Sequence, residues 1–118
     1  MARNVYMATR NVVARYRERL NEMRDYLLSY GDVRWAPVLE QWIVELDQCA
    51  GWAQLSDHAR RTLKATGGMG SLGDLSISPA NGHSIANDRA AIGEASGRLW
   101  EMTRQLYDDA LAVTQSKG

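Results

Sequence analysis

Between Val13 and Tyr30 the apolar residues Val13, Tyr16, Leu20, Met23, Leu27 and Tyr30 return every three or four positions. Arg17, Glu18, Arg19, Glu22, Arg24 and Asp25 fill much of the remaining circumference. That period predicts an amphipathic helix with one stripe turned to a core. The rhythm stops near Gly31, and Asp32, Val33 and Arg34 form so short a join that a helical hairpin follows. A second helix is expected from about Ala36 and Pro37, because proline is tolerated in a first turn, where its missing N–H has no intrahelical partner. Val38, Leu39, Trp42, Ile43, Leu46 and Cys49 form its stripe, which Leu55, Ala59, Leu63 and Thr66 carry onward. Gly51 permits a break, but a helix-interior glycine costs only about 1 kcal/mol relative to alanine, so one long helix and two shorter ones both stay open. Gly67 suits a left-handed C-cap.

A last helix is expected from about Ser84 to Thr114, with Ile85, Ile92, Ala95, Leu99, Met102, Leu106, Ala110 and Val113 on its apolar side and Ser84 or Asn87 as cap. Gly93, Ser96 and Gly97 lie near this seam, where small side chains let another helix come close. Burial of one Leu or Trp contributes about 1.5 to 3 kcal/mol and an exposed ion pair less than about 1, so packing decides the fold. The expectation is an all-α antiparallel bundle of three long helices, or four if the central helix breaks near Gly51, with an ordered glycine-rich connection.

The 118 residues suit one domain over 1–118, and 14 basic residues cancel 14 acidic ones. That balance removes the broad electrostatic argument for nucleic acid or an anionic membrane. Arg60, Arg61 and Lys64 form a local positive cluster, but at a helix C-terminal half they equally favour the helix dipole. The single cysteine, Cys49, excludes an intrachain disulfide and fits a reducing, cytoplasmic address. With two histidines in the chain, no metal and no cofactor is expected. No run of 18 apolar residues occurs, so neither export nor a membrane span is expected.

Gly67, Gly68, Met69, Gly70, Ser71, Leu72, Gly73, Asp74 and Leu75 open a connection of about 17 residues that ends at His83, longer than helix joins usually are. Met69, Leu72, Leu75 and Ile77 are expected to plug the end of the bundle, or to form part of a recognition surface. No Lys followed by Ser or Thr is present to hold phosphates, so this is not a nucleotide loop. The stretch resembles the Gly-Gly-Met-Gly-Ser-Leu-Asn-Asp-Leu-like mark of a group of small uncharacterised bacterial proteins, with Gly73 where asparagine is usual. Trp35, Ala36 and Leu39 before it and Asn81 to Ile85 after it are also similar. The resemblance implies no activity; proteins of this kind are sometimes carried on mobile gene cassettes.

Besides weak nucleic-acid binding through Arg60, Arg61 and Lys64, two classes of function are consistent with these residues. In the first, a noncatalytic helical protein recognises another protein or itself through an aromatic-rich face, with Trp35, Trp52, Met69 and Leu72 as candidate contacts. Trp42 and Trp100, beside the predicted seams, are expected inside the core, whereas Tyr26 and Tyr107 could lie on either side. In the second, a small enzyme or ligand-binding protein uses Asp57, His58, Asp74 and His83 around a polar pocket near the glycine-rich connection. Adjacent Asp57 and His58 point about 100° apart on a helix, so they form no relay by themselves. Cys49, with no neighbouring base in sequence, reads as a small buried hydrophobe.

Overall fold

The apolar stripes become four helices. The computed structural model describes residues 2–67 and 72–116. In it, α1 spans Ala2–Ser29, α2 Trp35–Asp47, α3 Trp52–Ala65 and α4 Arg89–Gln115, and two 3-10 turns cover Leu72–Asp74 and Pro79–Asn81. α1 and α4 have 28 and 27 residues, about 40 Å each at 1.5 Å per residue, whereas α2 and α3 have 13 and 14. Arg17 pairs with Asp47 and Arg24 with Glu40, so α2 runs back along the second half of α1. Tyr26 donates to the Ala95 carbonyl and Arg19 pairs with Asp109, so α4 is antiparallel to α1 over most of its length. α3 packs on α4 and is reached by Tyr16 of α1. The result is an elongated bundle, 54 × 23 × 22 Å.

The break in the middle falls at Gly51. That glycine has φ −164° and ψ 177°, an extended backbone open to any residue, so its special freedom is not what ends α2. The Gln54 side chain reaches back to accept from the Ala50 N–H, and the Leu55 N–H takes the Gly51 carbonyl, which starts a new helix. Glycine's freedom matters instead at Gly31, φ +71°, where the Gly31 and Asp32 N–H groups bond the Leu28 and Leu27 carbonyls and close α1 in a Schellman motif. Gly67 is not left-handed, contrary to expectation; Thr66 at the end of α3 has φ −89°. α4 also starts later than expected. Ser84 is held by the Tyr30 carbonyl outside any helix, and the cap is Asp88, whose carboxylate accepts from the Ala91 N–H at 3.0 Å.

The core is built from Tyr16, Leu20, Met23 and Leu27 of α1, Ala36, Leu39, Ile43 and Leu46 of α2, Ala59 of α3, and Ala95, Leu99, Leu106, Ala110 and Val113 of α4. Leu72 and Ile77 of the long connection are buried among them with no exposed surface. Ser96 fastens this segment to α4, accepting from the Ile77 N–H and donating to the Ile77 carbonyl. The connection beyond Leu72 is therefore part of the core wall. Met69, expected to plug it, lies outside the described residues.

Asp32 ties the segments together. One carboxylate oxygen accepts from the Trp35 and Ala36 N–H groups at 2.6 and 2.7 Å, satisfying the start of α2. The other accepts from His83 Nε2 at 2.8 Å. His83 Nδ1 accepts from the Ser78 N–H, so Nε2 is the nitrogen that carries the donated proton. Burial pushes the Asp32 carboxyl up, but the Ala36 N–H, the His83 side chain and the Trp35 N–H outweigh it and hold the group below its ordinary value.

A β-carbon placed on Gly93 or Gly97 of α4 meets nothing within 4 Å. Either glycine changed to alanine should raise the unfolding free energy by about 1 kcal/mol, read by urea denaturation of a dilute sample. An unchanged or lower value would contradict the open, helical setting of these positions.

Candidate functional site

The largest polar cluster inside the bundle joins three helices. Tyr16 of α1 meets His58 Nδ1 at 2.8 Å and Thr62 Oγ1 at 2.5 Å, and His58 Nε2 lies 2.6 Å from the Trp42 carbonyl of α2. A carbonyl only accepts, so Nε2 carries the proton and Nδ1 accepts from the Tyr16 hydroxyl. Thr62 then donates to the Tyr16 oxygen, and the chain of donors runs in one direction from Thr62 through Tyr16 and His58 to Trp42. Burial pushes the Tyr16 phenol well above its ordinary range, with the Thr62 contact acting the other way. Burial likewise lowers His58; the Trp42 carbonyl opposes this, and the nearby Arg61 charge adds to it. The cluster is satisfied within itself and, with Tyr16 fully buried and His58 2% exposed, offers no atom to a ligand.

Above it, α2 and α3 border an open groove of about 800 Å³ lined by Glu45, Cys49, Asp57, Arg60, Arg61 and Lys64 among others. Its charges are largely paired with each other: Arg60 with Asp57 at 3.5 Å and Arg61 with Glu45 at 3.4 Å. Glu45 Oε2 is screened from solvent yet has no hydrogen bond, since Arg61 stands in ion-pair range only. The Cys49 thiol is half-buried and contacts the Glu45 carbonyl at 3.4 Å. Burial raises its pKa, and Arg61 offsets part of this. No activated nucleophile results.

The third setting is the outer face of α4. Trp100 is 57% exposed and Tyr107 43%, and Arg104 stacks over the Trp100 ring at 5.8 Å. With Thr66, Gly73 and Thr103 they border a shallow depression of about 190 Å³ beside the glycine-rich connection. Trp100 was expected in the core and is not there. Leu99 takes the core position, and the next residue on a helix points about 100° away from it. Of Gly93, Ser96 and Gly97, expected near the seam to let another helix come close, Ser96 is half-buried against Ile77 and the two glycines face outward.

The other candidates are scattered. Trp35 and Trp52 are half-buried and pack against the core, leaving only part of each ring outside. Leu72, put forward as a surface contact, is fully buried and serves packing alone, because the connection folds inward at that turn. Of the four polar residues, Asp57 lies on the open groove, His58 in the Tyr16 cluster, His83 on Asp32, and Asp74 is exposed in the first 3-10 turn. Tyr16 and Tyr30 mark the α1 levels of the two histidines. They are fourteen residues apart along α1 and its C-terminal cap, so about 20 Å separates the two settings. Among the described residues, no group of three His, Cys, Asp or Glu side chains is placed to hold a metal ion. No helix there is long and apolar enough to cross a membrane.

Residues 28–86 match the model of a domain of unknown function, DUF6966. The match covers half of the chain, which belongs to that family. Its range runs from the end of α1 to Ala86 and so contains both Asp32 and His83, as well as the glycine-rich stretch; α4 lies outside it. No curated protein and no solved structure matches the chain.

Tyr16→Phe leaves His58 Nδ1 without its donor and should lower the unfolding free energy by about 1 to 3 kcal/mol in urea; a change within error would remove the directed chain. The His58 shift carries a pH signature. The unfolded chain gains a proton near the ordinary imidazole value of 6.5 while the folded chain resists it. Stability from this source is complete above that value and falls as pH drops from it through the depressed folded value. Thermal melts should show this acid slope, and His58→Gln should flatten it; an equal slope in both proteins would contradict the assignment.

Proposed function

Starting from membership of a family without an assigned function, we propose that the protein is a noncatalytic interaction module whose contact surface is the outer face of α4. Trp100 carries the proposal: a large aromatic side chain left 57% exposed on a bundle that had apolar interior to offer. Trp, Tyr and Arg are the residue types that dominate binding energy at protein interfaces, and Trp100, Arg104 and Tyr107 stand within two turns of one helix. Trp35 and Trp52 are secondary contacts, with half-buried rings that hold their positions rigidly. The partner in this reading is a protein or a second copy of the chain. A cytoplasmic location belongs to the same reading, on the strength of the balanced charge and single cysteine.

The groove between α2 and α3 supports a weaker, second reading as a ligand site. Its volume suits a small molecule, and Glu45 Oε2 is an acceptor still lacking a hydrogen bond. Arg60 and Arg61 already face carboxylates, so a ligand binding to either would have to displace an existing pair.

Trp100→Ala discriminates between the two readings. Its stability should stay within about 0.5 kcal/mol of the wild type, because the ring lies outside the core. Capture of protein partners from the native host should be lost. A Trp100→Ala protein that is folded and keeps every partner would overturn the α4 reading.

A further inference from the structure

The groove between α2 and α3 lies wholly inside the span that matches the family model. Its lining residues, from Glu45 to Lys64, fall within residues 28–86, whereas the depression beside Trp100 borrows from α4, outside that span. On one wall Asp57, Arg60, Arg61 and Lys64 follow the three- and four-residue spacing of a single face of α3. The other wall is Glu45 of α2, with Gln48 and Cys49 just beyond the end of that helix. Three cations thus share the groove with two carboxylates, an excess of positive charge in a chain whose total is zero.

The ion pairs of the groove are loose. Arg60 stands 3.5 Å from Asp57 and Arg61 3.4 Å from Glu45, longer than the roughly 2.7–2.9 Å of a close charge-assisted bond, and the two guanidinium side chains are 64% and 63% exposed. Water screens such pairs, so an oxyanion displaces them at little cost. Arg17, in contrast, grips Asp47 through two bonds of 2.7 and 2.9 Å. Lys64, one turn beyond Arg60, has no carboxylate partner among the described residues. Across the groove Glu45 Oε2 is screened from solvent and receives no hydrogen bond, so it calls for a donor. We propose that the groove binds a small phosphate monoester carrying a hydroxyl group beside the phosphate, as in a phosphorylated polyol or sugar, with the phosphate oxygens on Arg60, Arg61 and Lys64 and the hydroxyl on Glu45 Oε2. The proposal rests on the second reading, of the groove as a ligand site, and names the ligand. Two guanidinium forks and an ammonium group suit a tetrahedral oxyanion, and the volume of about 800 Å³ is in the range of small-molecule sites. A nucleic-acid strand is the poorer match, because Glu45 and Asp57 would face its neighbouring phosphates.

Titration of the full chain with glycerol 3-phosphate, followed by the backbone amide signals in NMR, tests this, with circular dichroism confirming the fold of every variant. The signals of Gln48, Arg61 and Lys64 should shift and saturate. Lys64→Gln, at an exposed position, should weaken binding roughly fivefold or more. Methyl phosphate, which has no hydroxyl to offer Glu45, should bind more weakly than glycerol 3-phosphate. Glu45→Met keeps the length of the side chain and removes the acceptor, so it should bring the two affinities together, an effect that loss of a surface charge alone would not give. Binding indifferent to Lys64→Gln overturns the proposal, and so does a wild type that holds both phosphates equally. A short oligothymidylate that binds more tightly than glycerol 3-phosphate overturns it as well. If glycerol or a mixture of free amino acids shifts the groove signals while the phosphates do not, the groove stands as a ligand site and only the choice of phosphate falls. If none of these probes shifts them, the ligand reading of the groove falls too.

Discussion

The Asp32 carboxylate is the group on which the arrangement of the chain depends. It follows the glycine that closes α1, accepts from the first free N–H groups of α2, and accepts a hydrogen bond from His83 Nε2 in a segment 51 residues away. A carboxylate accepting several such bonds is held in its charged form and fixes what donates to it. The hairpin angle between α1 and α2 and the return of the long connection to that corner are thus set by one side chain. Ser84 adds a backbone bond to the Tyr30 carbonyl at the same corner, so the connection passes across the end of α1 before α4 begins.

At the other level of the bundle, Tyr16 does comparable work with neutral groups. Its hydroxyl is buried in the core, where an unpaired polar atom costs several times what a formed hydrogen bond contributes net. The Thr62, His58 and Trp42 partners remove that penalty only in one relative placement of α1, α2 and α3. The cluster therefore specifies the register in which the short α2 and α3 flank the longer helices. With both histidines committed to partners of the scaffold, the polar interior is occupied by structure, and the chemistry left to the outside is carried by α4 and by the groove beside Cys49.

Local periodicity was enough to read the fold from sequence. Tyr16, Leu20, Met23 and Leu27 in α1, and Leu39, Ile43 and Leu46 in α2, face inward where the three- and four-residue spacing put them. The break at Gly51 could not be decided, because it depends on whether Gln54 turns back to Ala50, a matter of side-chain geometry. Trp100 was misplaced because size and proximity to Leu99 suggested a seam, whereas one step along a helix rotates a side chain out of it. Asp32 was invisible as a hub, since its decisive partner is remote in sequence. The outward stance of Gly93 and Gly97 could have been found by projecting α4 around its axis from the Ala95, Leu99, Leu106 and Ala110 stripe, which leaves both glycines on the far side.

The Tyr16 and Asp32 clusters satisfy their own polar atoms, and in the proposed reading the outer face of α4 is where the chain meets a partner. The indole N–H signals of the four tryptophans, followed by NMR as the protein is concentrated, test that division most directly. As the protein is concentrated and then mixed with an extract of its native host, the Trp100 signal should move most, those of the secondary contacts Trp35 and Trp52 less, and that of Trp42 should stay in place. A stationary Trp100 signal accompanied by movement at Trp35 or Trp52 would contradict the account and shift the contact surface to the α2–α3 side of the bundle.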